Sequence, residues 1–164
     1  MKKICLVVAT TFFLLNMIKA QDPIPEISLY DINGNKVNIS EYGKDEKIQV
    51  FSFWATWCVP CKEELNNIAE IYEDWQKDYN VEIIAVSIDD AKTRANVKSY
   101  AEGQGWPYTV ILDSNKDLHR LLSGQSVPFT VVTDKSGNIV EKHTGYIEGD
   151  EYVLEEKLEE LSKK

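Results

Sequence analysis

Histidine is nearly missing from this 164-residue chain, which carries only His119 and His143. They stand far apart and far from the cysteines, so no four-ligand spacing of the kind a zinc site wants is present. Cysteine is scarce as well, at Cys5, Cys58 and Cys61. One short loop closed by Cys58 and Cys61 would constrain the unfolded chain little, which makes a structural staple a poor use for the pair. Basic residues are outnumbered by acidic ones, 18 against 27. That balance argues against nucleic-acid or anionic-membrane binding and selects no protein partner. No internal repeat and no low-complexity tract occurs. The one long apolar run, Ile4 to Leu15, is too short to span a bilayer comfortably.

What the N-terminus does have is the pattern of an export signal. Lys2 and Lys3 form a short basic region, the apolar run follows, and Met17-Ile18-Lys19-Ala20 places cleavage after Ala20. Cys5 lies at the edge of the apolar run rather than after it, which argues against a lipidated cysteine. Cleavage removes three lysines and no acid, leaving 144 residues with 15 basic and 27 acidic groups and a formal charge of −12. The division expected is a signal over residues 1–20, an extended leader over 21–26 and one domain over 27–164, long enough for a sizeable core. Membrane contact then comes only through a partner or an uncleaved signal.

Cys58-Val59-Pro60-Cys61 is the informative motif because of its setting. Val50-Phe51-Ser52-Phe53-Trp54 reads as a buried strand, Ala55-Thr56-Trp57 as a turn, and Lys62 to Ile68 as the opening of a helix. A dithiol at a helix start meets unpaired backbone N–H groups and the positive end of the helix dipole, both of which favour a thiolate. Lowering a thiol from about pKa 8.5 to about 7 needs only ~2 kcal/mol of such preference. Pro60 fits the first turn, where its missing N–H has no helical partner to lose.

Along the rest of the chain, Ile27 to Tyr30 and Lys36 to Ile39 read as a hairpin around Asn33-Gly34-Asn35. A helix to about Tyr79 carries the stripe Leu65, Ile68, Ala69, Ile71, Tyr72 and Trp75, and Val81 to Ile88 is the next strand. Asp89-Asp90 is expected to begin a helix towards Glu102, which Gly103, Gly105 and Pro107 end. Tyr108 to Leu112 reads as a strand, Asp117 to Leu122 as a short helix, and Val127 to Val132 with Ile139 to Thr144 as a hairpin. A last helix, Asp150 to Leu161, is expected to turn Val153, Leu154, Leu158 and Leu161 inward. Alternating strands and helices of this kind predict an α/β sheet covered on both faces.

The run Trp54-Ala55-Thr56-Trp57-Cys58-Val59-Pro60-Cys61-Lys62-Glu63-Glu64, with the later Val127-Pro128-Phe129-Thr130, resembles the thioredoxin superfamily. More narrowly it resembles exported TlpA/ResA-like thiol–disulfide oxidoreductases, over roughly Ile27 to Leu161. The resemblance implies a three-layer thioredoxin-like fold with a mixed central sheet, an N-terminal hairpin and an inserted helix and strand between Asp90 and Leu112. It implies that Cys58 attacks a partner disulfide and that Cys61 resolves the mixed disulfide, leaving Cys58–Cys61 oxidised. Pro128 matches the cis-proline loop that faces the dithiol, and Val127 its specificity neighbour; the bland alternative is a proline opening an edge strand. Trp57, Val59 and Pro60 would meet substrate beside the nucleophile, whereas Trp54, Tyr79, Trp106 and Tyr108 read as packing residues.

Glu64 matches a glutamate placed to influence proton transfer at the dithiol, although Glu63 and Glu64 also fit as first-turn acids favouring the helix dipole. Thioredoxins themselves carry a buried acid where this chain has Ser52, which raises the interest of Glu64. No cofactor and no metal is expected. The implied partners are oxidised proteins, including apocytochrome c during cytochrome c maturation, and an upstream membrane thiol donor. Two competing readings remain: a metallochaperone or redox-inactive binding module on the same scaffold, and a thiol peroxidase. The peroxidase would want a threonine at the position of Ala55. N-terminal sequencing of the mature protein should begin at Gln21; a chain still starting at Met1 would remove the cleaved signal.

Overall fold

A computed structural model describes residues 22–164 of the chain; the expected export signal lies outside them. The elements run β1 Ser28–Asp31, β2 Lys36–Asn38, β3 Ile48–Trp54, α1 Val59–Tyr79, β4 Val81–Ser87, α2 Val97–Gln104, β5 Thr109–Leu112, α3 Asp117–Leu121, β6 Phe129–Thr133, β7 Ile139–Thr144 and α4 Asp150–Ser162. All seven strands join one sheet in the order β2-β1-β5-β4-β3-β6-β7. The β3, β4 and β5 strands are parallel, while β1 and β6 close the two sides antiparallel. Every residue of β3 is buried, as an unbroken apolar strand must be when both faces are covered.

Alternation along β3 shows what covers each face. Phe51 meets Tyr42 edge-on at 5.8 Å and Phe53 meets His119 at 5.3 Å, both from segments on one side. Ser52 and Trp54 point the other way, to Glu64 of α1 and to Trp106 at 4.7 Å. The crossovers β3–α1–β4 and β4–α2–β5 step in the same direction along the sheet, so right-handedness puts both helices on one face. The β5–α3–β6 connection steps back and carries α3 to the other. The α4 helix returns beside α1, with the Tyr79 hydroxyl donating to Glu155 at 3.2 Å. Helices thus cover both faces of a mixed sheet, as expected, but unevenly. Among the described residues no helix is long and apolar enough to cross a membrane.

Three local expectations are corrected. The segment after β4 does not turn helical at Asp90, because the Asp90 carboxylate accepts the Lys92 N–H at 2.9 Å and closes a turn instead. A 3-10 turn at Arg94–Asn96 follows, and α2 begins only at Val97. Val153 is 63 % exposed. The inward stripe of α4 is Glu151, Leu154, Leu158 and Leu161, spaced three and four residues apart, and Val153 lies off it. The β6 strand starts at Phe129, leaving Val127 and Pro128 outside the ladder.

Residues 22–26 are extended but pinned. Ile24 is buried and donates its N–H to Gly137 at 3.0 Å, in the turn between β6 and β7. Gly137 has φ +77°, and a Cβ there would approach the Gly43 backbone to 2.6 Å, so this junction admits no side chain. Leu158→Ala should lower unfolding stability by about 2–5 kcal/mol, whereas Val153→Ala should change it by less than about 0.5 kcal/mol, both read from urea unfolding.

Candidate active site

The dithiol turn is fixed from the neighbouring strand. Where β3 ends, Trp54 C=O accepts the Ile88 N–H at 2.9 Å. Asp89, fully buried, accepts the Thr56 N–H at 2.9 Å and the Thr56 hydroxyl at 2.6 Å, and also the Ser87 hydroxyl at 2.9 Å. Lys62 reaches back from α1, its Nζ donating to Thr56 C=O at 3.2 Å while it lies 5.3 Å from the Tyr100 ring centre. Cys58 donates its N–H to Ala55 C=O at 3.0 Å and stands as the N-cap of α1, with Pro60 in the first turn. Its sulfur is thus carried at the positive end of the α1 dipole, although the side chain accepts no capping hydrogen bond in the disulfide state.

Cys58 and Cys61 form a disulfide with Cα atoms 5.4 Å apart. Cys61 is fully enclosed and Cys58 retains 5 % exposure. Around them Trp57 and Val59 are 58 % and 59 % exposed, and Pro60 is half-buried. Pro128 is buried and its bond to Val127 is cis. Phe129 pairs with Phe53 in the β3–β6 register, so Pro128 stands one step further, at the sheet end where β3 hands over to the dithiol turn. Trp57 and Val127 line one groove.

Glu64 follows Cys61 by three residues on α1, a spacing that puts both on the same helix face. It is buried against the sheet. The Thr130 hydroxyl donates to its Oε1 at 2.9 Å and the Ser52 hydroxyl to its Oε2 at 3.4 Å. Ser52 and Thr130 are register partners on β3 and β6, so the two hydroxyls converge on one carboxyl. Burial pushes the Glu64 carboxyl up to about 7; the two hydroxyls pull the other way, and the Asp150 and Glu151 carboxylates add to the rise. Since α1 starts at Val59, Glu63 and Glu64 belong to its second turn, which removes the first-turn dipole account of them. Glu63 is exposed. A carboxyl titrating near neutrality is matched to moving a proton.

Sequence reasoning did not single out Thr130, Asp89 or His119 as parts of this site. Thr130 lay within the quoted Val-Pro-Phe-Thr run, but only the strand register shows that its hydroxyl meets Glu64. Asp89 looked like a helix start, and its inward turn is visible only once Thr56 is placed. His119 is buried, with Nε2 3.3 Å from Ser126 C=O in the loop that leads to Pro128. Among the described residues no group of three histidine, cysteine or acidic side chains gathers in a metal-holding arrangement.

The AhpC/TSA family profile matches residues 20–142. The chain belongs to this family. It is 30 % identical over 122 residues to the thiol-disulfide oxidoreductase ResA of Geobacillus thermodenitrificans, covering 74 % of this chain and 67 % of that one. A thioredoxin-like protein of Porphyromonas gingivalis, uncharacterised in function, superposes with a TM-score of 0.76 at 43 % identity, covering 85 % of this chain and 92 % of its own. StoA of Bacillus subtilis shares the fold, with a TM-score of 0.62 at 19 % identity over 79 % of this chain and 94 % of its own. Family, thioredoxin-like fold and the Cys58–Cys61 disulfide together make this family member a thiol–disulfide oxidoreductase.

The raised Glu64 value sets a pH dependence. An unfolded glutamate titrates near 4.5 and the folded one near 7, so between these values the folded state holds one proton more. Stability of the oxidised protein therefore falls as pH rises from about 4.5 to about 7, by about 3 kcal/mol from this group. Glu64→Gln should remove that component of the slope, read as the difference between native and variant in urea titrations across the window.

Proposed function

We propose that this protein is an exported dithiol reductant of protein disulfides. The observation that carries the reading is the pairing of a nearly enclosed disulfide at a helix start with a buried acid behind it and exposed Trp57 and Val59 in front. In the reduced protein the Cys58 thiolate attacks one sulfur of a client disulfide, and the other client sulfur leaves as a thiolate. Cys61, deprotonated, then attacks Cys58; the mixed disulfide breaks, the client leaves reduced, and two electrons have passed from the pair to the client. Glu64 takes the proton from Cys61 and returns it when the pair is reduced again. Cys58 and Cys61 lie within one helical turn, so the second attack is intramolecular.

The direction, the compartment and the partners follow from the resemblance and the N-terminal pattern. An upstream membrane thiol donor would return the pair to the dithiol state, and oxidised exported proteins, apocytochrome c among them, would consume it. Val127 and Pro128 would present main chain to an extended client beside Trp57, Val59 and Pro60. Peroxide reduction fits less well, because Ala55 offers a buried methyl group where that chemistry wants a hydroxyl.

Cys61→Ser should accumulate a stable mixed disulfide with client protein through Cys58, and Cys58→Ser should form none, as resolved by non-reducing electrophoresis and mass spectrometry. Equilibration with dithiothreitol buffers should give a potential near the thioredoxin range, about −270 mV. A value near about −120 mV would reverse the direction and assign disulfide formation instead.

A further inference from the structure

Two depressions on opposite sides of the sheet differ in charge. On the α4 side, a narrow cleft is lined by Glu64, Glu141, Asp150 and Glu151 along with His143. On the α3 side, the groove bounded by Trp57 and Val127 is lined by Lys116 and Arg120 and by no carboxylate. In a chain with a formal charge of −9, a carboxylate-free strip beside the dithiol is a departure from the surrounding surface.

The nearby acids do not cancel it. Asp117 pairs with Arg120 and offsets its charge, which leaves Lys116 as the groove's cation with no acidic partner among the described residues. Asp113 is buried, with its carboxylate turned inward to accept the N–H groups of Asp117 at 2.7 Å and His119 at 2.9 Å. Lys116 and Arg120 are both exposed. Arg120 is also held in place, its Nη1 donating to Asn115 C=O at 2.7 Å.

The groove is built rather than incidental. The His119 ring forms its floor, between Phe53 and Phe129, with ring centres 5.3 and 5.5 Å away. It also tethers Ser126 C=O. Gly124 lies directly over the ring, where any Cβ would collide with it. The Gly124 N–H donates to His119 C=O at 2.8 Å, which closes the loop down onto α3. The rim residue Val127 is therefore set by a packed imidazole, across the groove from Trp57.

We propose that this groove is the channel for the client chain next to its disulfide, and that it takes an extended segment bearing a carboxylate on the side that lies towards Lys116. The inference rests on the oxidoreductase reading and names the clients it prefers. Trp57 covers the segment near the exchanging sulfurs, and Lys116 receives the acid a few residues away.

The test uses the reduced protein and octapeptides whose single cysteine is capped as the mixed disulfide with 2-mercaptoethanol. The reaction converts the dithiol to Cys58–Cys61 and releases the peptide thiol and 2-mercaptoethanol, so its second-order rate constant is read by stopped-flow tryptophan fluorescence. With aspartate, asparagine or lysine placed on one flank, the aspartate peptide should react about two- to fivefold faster than the asparagine peptide, and the lysine peptide more slowly. Moving the aspartate to the other flank should lose the advantage, and 0.5 M salt should erase it. Lys116→Glu should invert the order, while the charge-matched Lys164→Glu, at the end of α4, should not. Equal rates for aspartate and lysine peptides, or an equal effect of the two charge reversals, would overturn the groove assignment alone. Failure of the native dithiol to react even with hydroxyethyl disulfide would overturn the oxidoreductase reading and the groove with it.

Discussion

The β3 strand pairs with β4 along one edge and β6 along the other, and all seven of its residues are buried. No strand in the sheet is more fully determined, and the dithiol turn is its continuation. Because β4 and β6 both reach that end, the turn receives support from two directions. Ile88 and Asp89 hold Trp54 and Thr56 from one side, and the start of β6 sets Pro128 from the other. The pair sits at the junction of this turn with the first turn of α1, so it has little freedom of its own. Exchange at Cys58 thus takes place in a frame fixed by the most buried part of the molecule.

Placing Glu64 against that strand works against the general preference for apolar contacts in a core. A carboxylate there would face heavy desolvation, and the chain supplies two neutral hydroxyl donors rather than a cation to meet it. A lysine or arginine partner would hold the group ionised at all working pH values. Ser52 and Thr130 instead leave it close to the balance point, where one proton is gained or lost at little cost. The ionisable group is carried by α1, three residues beyond Cys61, and the strand β3 contributes only the Ser52 hydroxyl.

Most of the fold was legible because its signals were local. The run Val50 to Trp54, the Asn33-Gly34-Asn35 turn, and the 3.6-residue stripe through Leu65, Ile68, Tyr72 and Trp75 each dictate their element without reference to the rest. The failures came where a residue had two local uses and tertiary contact chose between them. Asp89 and Asp90 have the chemistry of helix starts, yet one turned inward to Thr56 and the other closed a tight turn. Val153 is apolar and near the right phase, but Glu151 took the inward place because its carboxylate accepts the Tyr146 hydroxyl at 2.7 Å and the Gly149 N–H at 3.0 Å. At the site, the cysteines and Glu64 stood in one run and Pro128 in a second, and the family resemblance drew attention to both. The partnership of Thr130 with Glu64 was not, since it depends on a register 66 residues away in sequence.

The pinning of Ile24 to Gly137 has a bearing on how the molecule is presented. Gly137 lies past the far end of β6, beyond Thr133, whereas the dithiol lies past the near end, beyond Phe129. Five residues of strand separate the two poles, a span of roughly 17 Å. Lys135 donates to Ser162 C=O at 2.6 Å, so the last helix also finishes at the pole away from the sulfurs. The described chain enters the domain at that pole. The sheet therefore holds the entry of the described chain and its sulfur pair at opposite ends, about one strand length apart.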